Sequence, residues 1–225
     1  MKLYTNPVST SARPVAMLIA EKQLPVELEI VDLMTGAQYK EPYASKNPNC
    51  RVPFLEDGDF VLTQASAILK YLAEKFELPE YPRDLKARAR VNESMDWFMG
   101  DFYPEWASMI YPQILPHHKR PDAATQAGTL AWGKGKSERW LKILDEHWIG
   151  PDKKWLCGDA ITIADYLASG VITLGETVGC DLSAYPNVSR WLANVKALEG
   201  YKVANAQFDG WIASRPQDTS LVAVR

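Results

Sequence analysis

Phe54-Leu55-Glu56-Asp57-Gly58-Asp59-Phe60-Val61-Leu62 is the segment on which the fold turns. Two short apolar runs, Phe54-Leu55-Glu56 and Phe60-Val61-Leu62, flank Asp57-Gly58, and glycine accepts the positive φ that a tight hairpin turn requires. The pair reads as an antiparallel hairpin. Directly after it, Ile68, Leu69 and Leu72 share one side of a helix. Toward the amino terminus, Leu28, Ile30 and Leu33 read as a strand bracketed by Pro25 and Gly36. Val15, Leu18 and Ile19 have helical spacing behind the cluster Ser9-Thr10-Ser11, with Pro14 tolerable in a first turn. Lys2 to Thr5 reads as an opening strand. The order is β-α-β, a loop, then β-β-α, and the first strand pair is expected to be parallel with a right-handed crossover.

Toward the carboxyl terminus the pattern changes. Pro79 and Pro82 in Leu78-Pro79-Glu80-Tyr81-Pro82 mark a linker, because proline cannot continue a helix and biases its predecessor to extended geometry. Beyond it no strand pattern recurs. Helical patterns run over about 84–115, 122–148, 162–178 and 185–198, with a short last helix near 202–213. Tyr103-Pro104 is expected to kink the first of these. The fold class is therefore α+β: a β-α-β-β-α unit over 1–78, a linker over 79–84, an all-α domain over 85–215 and a tail over 216–225. The tail is expected either to cap a site or to stay unstructured.

Composition narrows the function classes. The 225 residues carry 25 Lys and Arg against 28 Asp and Glu, a formal net charge of −3. That argues against nucleic acid as a partner, which needs a basic face. The local basic run Arg83-Asp84-Leu85-Lys86-Ala87-Arg88-Ala89-Arg90 reads as a solvated helix face or a subunit contact. Cys50, Cys157 and Cys180 are too few and too scattered for a disulfide framework or a zinc site, and free thiols point to a reducing compartment. With no signal-like opening and no apolar stretch of membrane-spanning length, the chain is expected in the cytoplasm, without a membrane partner.

Four motifs in order carry a family resemblance along nearly the whole chain. Leu3-Tyr4-Thr5-Asn6-Pro7-Val8-Ser9-Thr10-Ser11-Ala12-Arg13 resembles the strand-loop-helix opening of theta-like and related bacterial glutathione transferases. Asn47-Pro48-Asn49-Cys50-Arg51-Val52-Pro53-Phe54-Leu55-Glu56-Asp57-Gly58 is similar to the family's NPxxxVPxLxDG segment. Gln64-Ala65-Ser66-Ala67-Ile68 sits where the family starts a helix with [E/Q]SxAI, and Gly158 to Asp165 resembles its GDxxTxAD signature. The resemblance implies a thioredoxin-like first domain, an all-helical second domain, glutathione as co-substrate without a metal, and a homodimer with Arg13 near or supporting the subunit contact. The implied reaction is attack of the glutathione thiolate on a small hydrophobic electrophile. Dehalogenase, isomerase or peroxidase activity, or a non-catalytic glutathione- or protein-binding role, are the alternatives on the same fold.

The chemistry sets what the site must contain. A cysteine-like thiol has a pKa of about 8.5, so little thiolate exists at neutral pH. Lowering that pKa by about two units takes roughly 2.7 kcal/mol of preferential thiolate stabilisation. One charge-assisted hydrogen bond supplies about 1.5–3 kcal/mol, and a helix N-terminus adds about 0.3–1 kcal/mol. Ser9, four residues before Arg13, matches the theta-type catalytic serine and is assigned as that donor. Thr10 and Ser11 are stand-ins, and a helix N-cap is the competing role for any of the three. Tyr4 lies one residue off the position where other classes use tyrosine and is expected to pack.

The remaining site residues follow from the resemblance. Val52-Pro53 is expected to be a cis-proline turn whose Val52 backbone pairs with the cysteinyl part of glutathione. Gln38 and Arg51 match positions at the glycyl end. The helix opened by Gln64, Ala65 and Ser66 offers free N–H groups to the γ-glutamyl carboxylate, although Ala65 replaces the usual serine. Ser11, Tyr103, Trp106, Ile110 and Tyr111 are assigned to an electrophile pocket, against the plainer reading of an ordinary core stripe. His117-His118 is placed at its rim. Cys50 is read as an incidental thiol and Thr162 to Asp165 as a structural capping box.

Overall fold

A computed structural model describes residues 1–216 and 218–225. Four strands among them form one sheet in the order β2-β1-β3-β4: β1 Lys2–Thr5, β2 Glu27–Ile30, β3 Phe54–Asp57 and β4 Phe60–Thr63. β1 and β2 are parallel, with helix α1 (Ala12–Glu21) crossing between them. β3 is antiparallel to both β1 and β4, and Gly58 turns the hairpin at φ +65°. Alternation along the strands splits the sheet's two faces. Leu3 and Leu55 pack with Val15, Leu18, Ile68 and Leu69 under α1 and α3 (Ala65–Lys75). Tyr4 and Phe54 face the other way, toward Tyr43 of the short helix α2 (Tyr43–Lys46).

The second strand departs from its sequence reading. It ends at Ile30, short of Leu33, and Leu28 and Ile30 are 44% and 58% exposed. β2 is an edge strand held by its backbone ladder to β1, so its apolar residues do not report a core face.

The helical region comprises α4 (Leu85–Trp97), α5 (Tyr103–Ile114), α6 (Ala123–Ile143), α7 (Ile163–Thr173), α8 (Pro186–Lys196) and α9 (Glu199–Ser214). α4 and α5 are the two halves of the run read over 84–115, joined by a wide π turn at Phe98–Phe102. Pro104 has no N–H to return to the carbonyl one turn earlier, so the ladder loosens ahead of it. Asp165 anchors the centre. Its buried carboxylate accepts from the Leu156 and Thr162 N–H groups at 2.9 and 2.8 Å, from the Thr162 hydroxyl at 3.1 Å and from the Trp191 indole at 2.9 Å. The tail is docked: Gln113 exchanges two 2.8 Å hydrogen bonds with the Val222 backbone, and Ala223 and Val224 are buried.

The helices grip α1 closely. A Cβ added at Gly170 of α7 would lie 2.4 Å from the Thr10 carbonyl oxygen, and one at Gly200 of α9 would lie 2.5 Å from that of Met17. Real Cβ atoms do not approach so near, so these glycines set the depth at which α1 is seated. Gly170→Ala is expected to cost about 1–3 kcal/mol, as overpacking in a dense core does, and to weaken glutathione binding by displacing the first turn of α1. Thermal melting and calorimetric titration of the variant read both effects.

Candidate glutathione and thiol-activation site

Strand register decides where the candidate residues meet. Tyr4 lies opposite Phe54, and Phe54 opposite Thr63. The end of β1, the start of β3 and the end of β4 therefore share one end of the sheet. The loop into α1, the loop 47–53 and the start of α3 all emerge there. Two helix N-termini and one strand entry converge on this end.

At the head of α1, the Ser9 hydroxyl accepts a hydrogen bond from the Ala12 N–H at 3.3 Å, and the Ser9 carbonyl accepts from the Arg13 N–H at 3.1 Å. Ser9 thus caps the helix, and capping does not compete with thiol activation. A hydroxyl has one proton to donate and two lone pairs to accept with. The capping bond occupies a lone pair and leaves the proton of this half-buried side chain unused. The Asn6 side chain shapes the approach by donating to the Val31 carbonyl at 2.9 Å and accepting from the Val8 N–H at 3.1 Å. Thr10 is buried and accepts from the Tyr111 hydroxyl at 3.2 Å, so it faces the helical domain. Tyr4 stacks on Phe54 with 4.1 Å between ring centres and donates to Glu56. It packs.

The Val52-Pro53 peptide is cis. Among the described residues, neither the N–H nor the carbonyl of Val52 has a hydrogen-bond partner, so both are open to an added strand. The loop before it is held through the Arg51 carbonyl, which accepts from the Tyr43 hydroxyl and the Asn47 amide, each at 2.7 Å. That brace was not read from the sequence, although Asn47 belongs to the quoted motif. The Arg51 side chain is exposed. Gln38 is buried, and its side-chain oxygen has no partner. Gln64 precedes α3 at φ +71°, a left-handed conformation costly for a residue with a Cβ. Ala65 is buried and Ser66 half-buried, and the first N–H groups of α3 have no intrahelical acceptor.

The electrophile-pocket assignment divides. Tyr103 and Tyr111 are half-buried and share a 2.8 Å hydrogen bond between hydroxyls, and Ser11 is half-buried near the Tyr103 phenol. Burial, with the Tyr111 phenol next, raises the Tyr103 pKa, so Tyr103 remains a neutral donor. Trp106 and Ile110 correct the expectation. Both are fully enclosed, and the Trp106 indole donates to the Val171 carbonyl at 2.9 Å. They lie on the face of α5 turned to α7, one part of a stripe that the sequence shows as continuous. The His117 and His118 rings lie 4.7 Å apart and tilted to each other, and His118 lies 5.2 Å from the Tyr111 ring. A separate cleft of about 500 Å³, between the end of α6 and the start of α8, is lined by Glu138, Arg139, Lys142, Asp145, Glu146 and Tyr185. Its charged lining does not suit an apolar electrophile.

Arg13 is 1% exposed and enclosed by Thr173 of α7 and Asn205 of α9. No helix among the described residues is long and apolar enough to cross a membrane.

Comparison with known proteins agrees with this geometry. Residues 1–74 match the glutathione S-transferase N-terminal domain, and residues 111–199 match the C-terminal domain. Human glutathione S-transferase theta-1 is 33% identical over 208 residues, covering 89% of this chain and 84% of that protein. The structure of human glutathione S-transferase T1-1 superposes with a TM-score of 0.80 at 30% identity, over 97% of this chain and 93% of that one. Human glutathione transferase theta-2, solved with glutathione and an unidentified ligand, gives 0.83 at 27% identity, over 96% and 92%. Fold, motif order and identity across nearly the full length agree, and the chain belongs to the glutathione S-transferase family.

Proposed function

We propose that this protein is a glutathione transferase that binds the tripeptide across the open end of its sheet and uses Ser9 to hold the thiol ionised for attack on a small apolar electrophile. The observation that carries the reading is the Ser9 hydroxyl, fixed by its bond from Ala12 with its proton unused. The cysteinyl backbone pairs with Val52 beside Pro53. The γ-glutamyl carboxylate takes the free N–H groups of Ala65 and Ser66, with Gln64 beside them. Gln38 and Arg51 hold the glycyl end. Tyr103, Tyr111 and Ser11 border the electrophile. The test is calorimetric titration with glutathione together with the rate of conjugation to a reactive chloroarene. Heat and turnover together support the reading. Heat without turnover would favour a non-catalytic binder, and the absence of both would refute the reading.

Ala65 marks where this chain departs from its family. A serine there would add one hydroxyl at the carboxylate end, and an ordinary hydrogen bond contributes about 1 kcal/mol. Ala65→Ser is therefore expected to tighten glutathione binding about fivefold, read as Kd by calorimetry.

The chain is further proposed to work as a homodimer in a reducing, cytoplasmic compartment. Leu85, in the basic run at the start of α4 and 79% exposed, and Phe60 on β4, 45% exposed, are apolar side chains that a partner would cover. All three cysteines are free thiols. Light scattering of the purified protein reads the assembly, and a monomer at micromolar concentration would refute it.

A further inference from the structure

Arg13 is placed against three physical preferences at once. It is a cation in the first turn of a helix, where the macrodipole already presents positive charge. It is buried, where a charge is costly unless paired. And it has no anion to pair with. Its guanidinium donates to the Thr173 hydroxyl at 3.1 Å, the Asn205 side-chain oxygen at 2.5 Å and the Gly170 carbonyl at 3.4 Å, and it lies 3.7 Å from the centre of the Phe208 ring. All four partners are neutral, and the Nε–H has none.

Among the described residues no carboxylate touches the guanidinium. Glu176, on the segment after α7, is engaged by Lys196 at 2.7 Å. The Asp209 carboxylate of α9 accepts from the Tyr201 hydroxyl at 3.4 Å and acts on Arg13 through space without contact. Tyr111 of α5 is a further titratable group within electrostatic range, and it donates to Thr10. Burial lowers the Arg13 pKa only to about 10, so the side chain stays cationic at neutral pH. Arg13 joins α1 to α7 and α9 through neutral groups, a task a charge is not needed for, and a local rule broken in this way marks a functional position.

We propose that Arg13 is a positioning residue for the thiolate: its buried charge, contacted only by neutral groups, holds a positive potential beneath the first turn of α1 and favours the ionised over the protonated sulfur at Ser9. Two contacts tie it to that turn. The Arg13 N–H bonds to the Ser9 carbonyl, and Gly170, whose carbonyl the guanidinium contacts, abuts the Thr10 carbonyl. One helical turn plus an arginine side chain sets a separation on the order of 10 Å. At that separation, a unit charge in a partly screened medium moves the pKa of a second group by about half to one pH unit.

This inference rests on the reading of Ser9 as thiol activator, and Asn205→Asp separates the two. The substitution is nearly isosteric and places a carboxylate on the guanidinium, offsetting its charge at the loss of the bond that the Asn205 amide donates to the Tyr201 carbonyl at 3.0 Å. The ultraviolet thiolate band of bound glutathione is titrated in the parent and the variant, with thermal melting alongside. The bound thiol's pKa is expected to rise by about half to one pH unit in Asn205→Asp, with a cooperative melt showing that the variant is folded. An unchanged pKa in a folded Asn205→Asp protein would overturn the role of Arg13 while leaving Ser9 intact. Absence of the band in the parent would instead refute the Ser9 reading. Should Asn205→Asp not fold, the pair Arg13→Lys and Arg13→Gln decides. Retention of the parent pKa by lysine and loss by glutamine supports the proposal, and equal values in both refute it.

Discussion

Ser9→Ala is expected to slow glutathione conjugation about ten- to a hundredfold at neutral pH while leaving the protein folded. The range follows from the bond removed. A hydrogen bond to a charged acceptor contributes about 1.5–3 kcal/mol, or roughly one to two pH units in the thiol's pKa. The substitution also removes the bond from the Ala12 N–H, so stability should fall by about 1 kcal/mol, as for loss of an N-cap. The two effects separate by pH. Ionisation of the thiol is what the hydroxyl promotes, so the deficit should shrink as pH rises toward that of free thiol, whereas a folding defect would persist. A pH–rate profile of kcat/KM for parent and variant reads this. Thr10→Ala is the control, because its buried side chain faces Tyr111 and the helical domain.

Asp165→Ala is expected to produce the largest loss of stability in the chain. Two backbone N–H groups, a hydroxyl and an indole N–H converge on one carboxylate, tying the Leu156 loop, the start of α7 and Trp191 of α8 into a single node. Burial, the main influence on this carboxyl, raises its pKa and penalises its charge, and these four donors oppose that penalty. Each buried donor left without a partner costs about 1–3 kcal/mol. With partial relaxation the sum is about 4 kcal/mol, which in a protein of this size lowers the melting temperature by roughly 8–16 °C. Asp165→Asn keeps the shape and part of the accepting capacity and should recover about half. Differential scanning calorimetry measures both. The folded fraction of either variant should retain its affinity for glutathione, since Asp165 is not at the sheet end proposed to hold the tripeptide.

The elements legible in the sequence are those whose cause is local. Asp57-Gly58 announces its hairpin because one positive φ is needed there and glycine supplies it. Asp165 and Thr162 announce a capping box because both partners lie within four residues. What the box does beyond its own turn, holding Leu156 and Trp191, depends on chain brought in from elsewhere. The same limit separates Trp106 from Tyr111. Both belong to one apolar stripe, and only the placement of α7 makes one a core residue and leaves the other beside Thr10. Arg13 is the sharpest instance. Its position one turn after Ser9 is plain in the sequence, but Thr173, Asn205 and Phe208 lie 160 or more residues away, and nothing local shows that a buried cation meets only neutral groups. The brace of Tyr43 and Asn47 on the Arg51 carbonyl escaped notice for a simpler reason: side-chain bonds to loop backbone leave no periodic trace.

A crystal structure of the protein with glutathione bound tests the assignment of Ser9 most directly. The sulfur is expected within hydrogen-bonding reach of the Ser9 hydroxyl, with the cysteinyl backbone paired to Val52 and the γ-glutamyl carboxylate at the start of α3. A sulfur seated instead against Cys50, Thr10 or Ser11, with the Ser9 hydroxyl engaged only by its own helix, would contradict it.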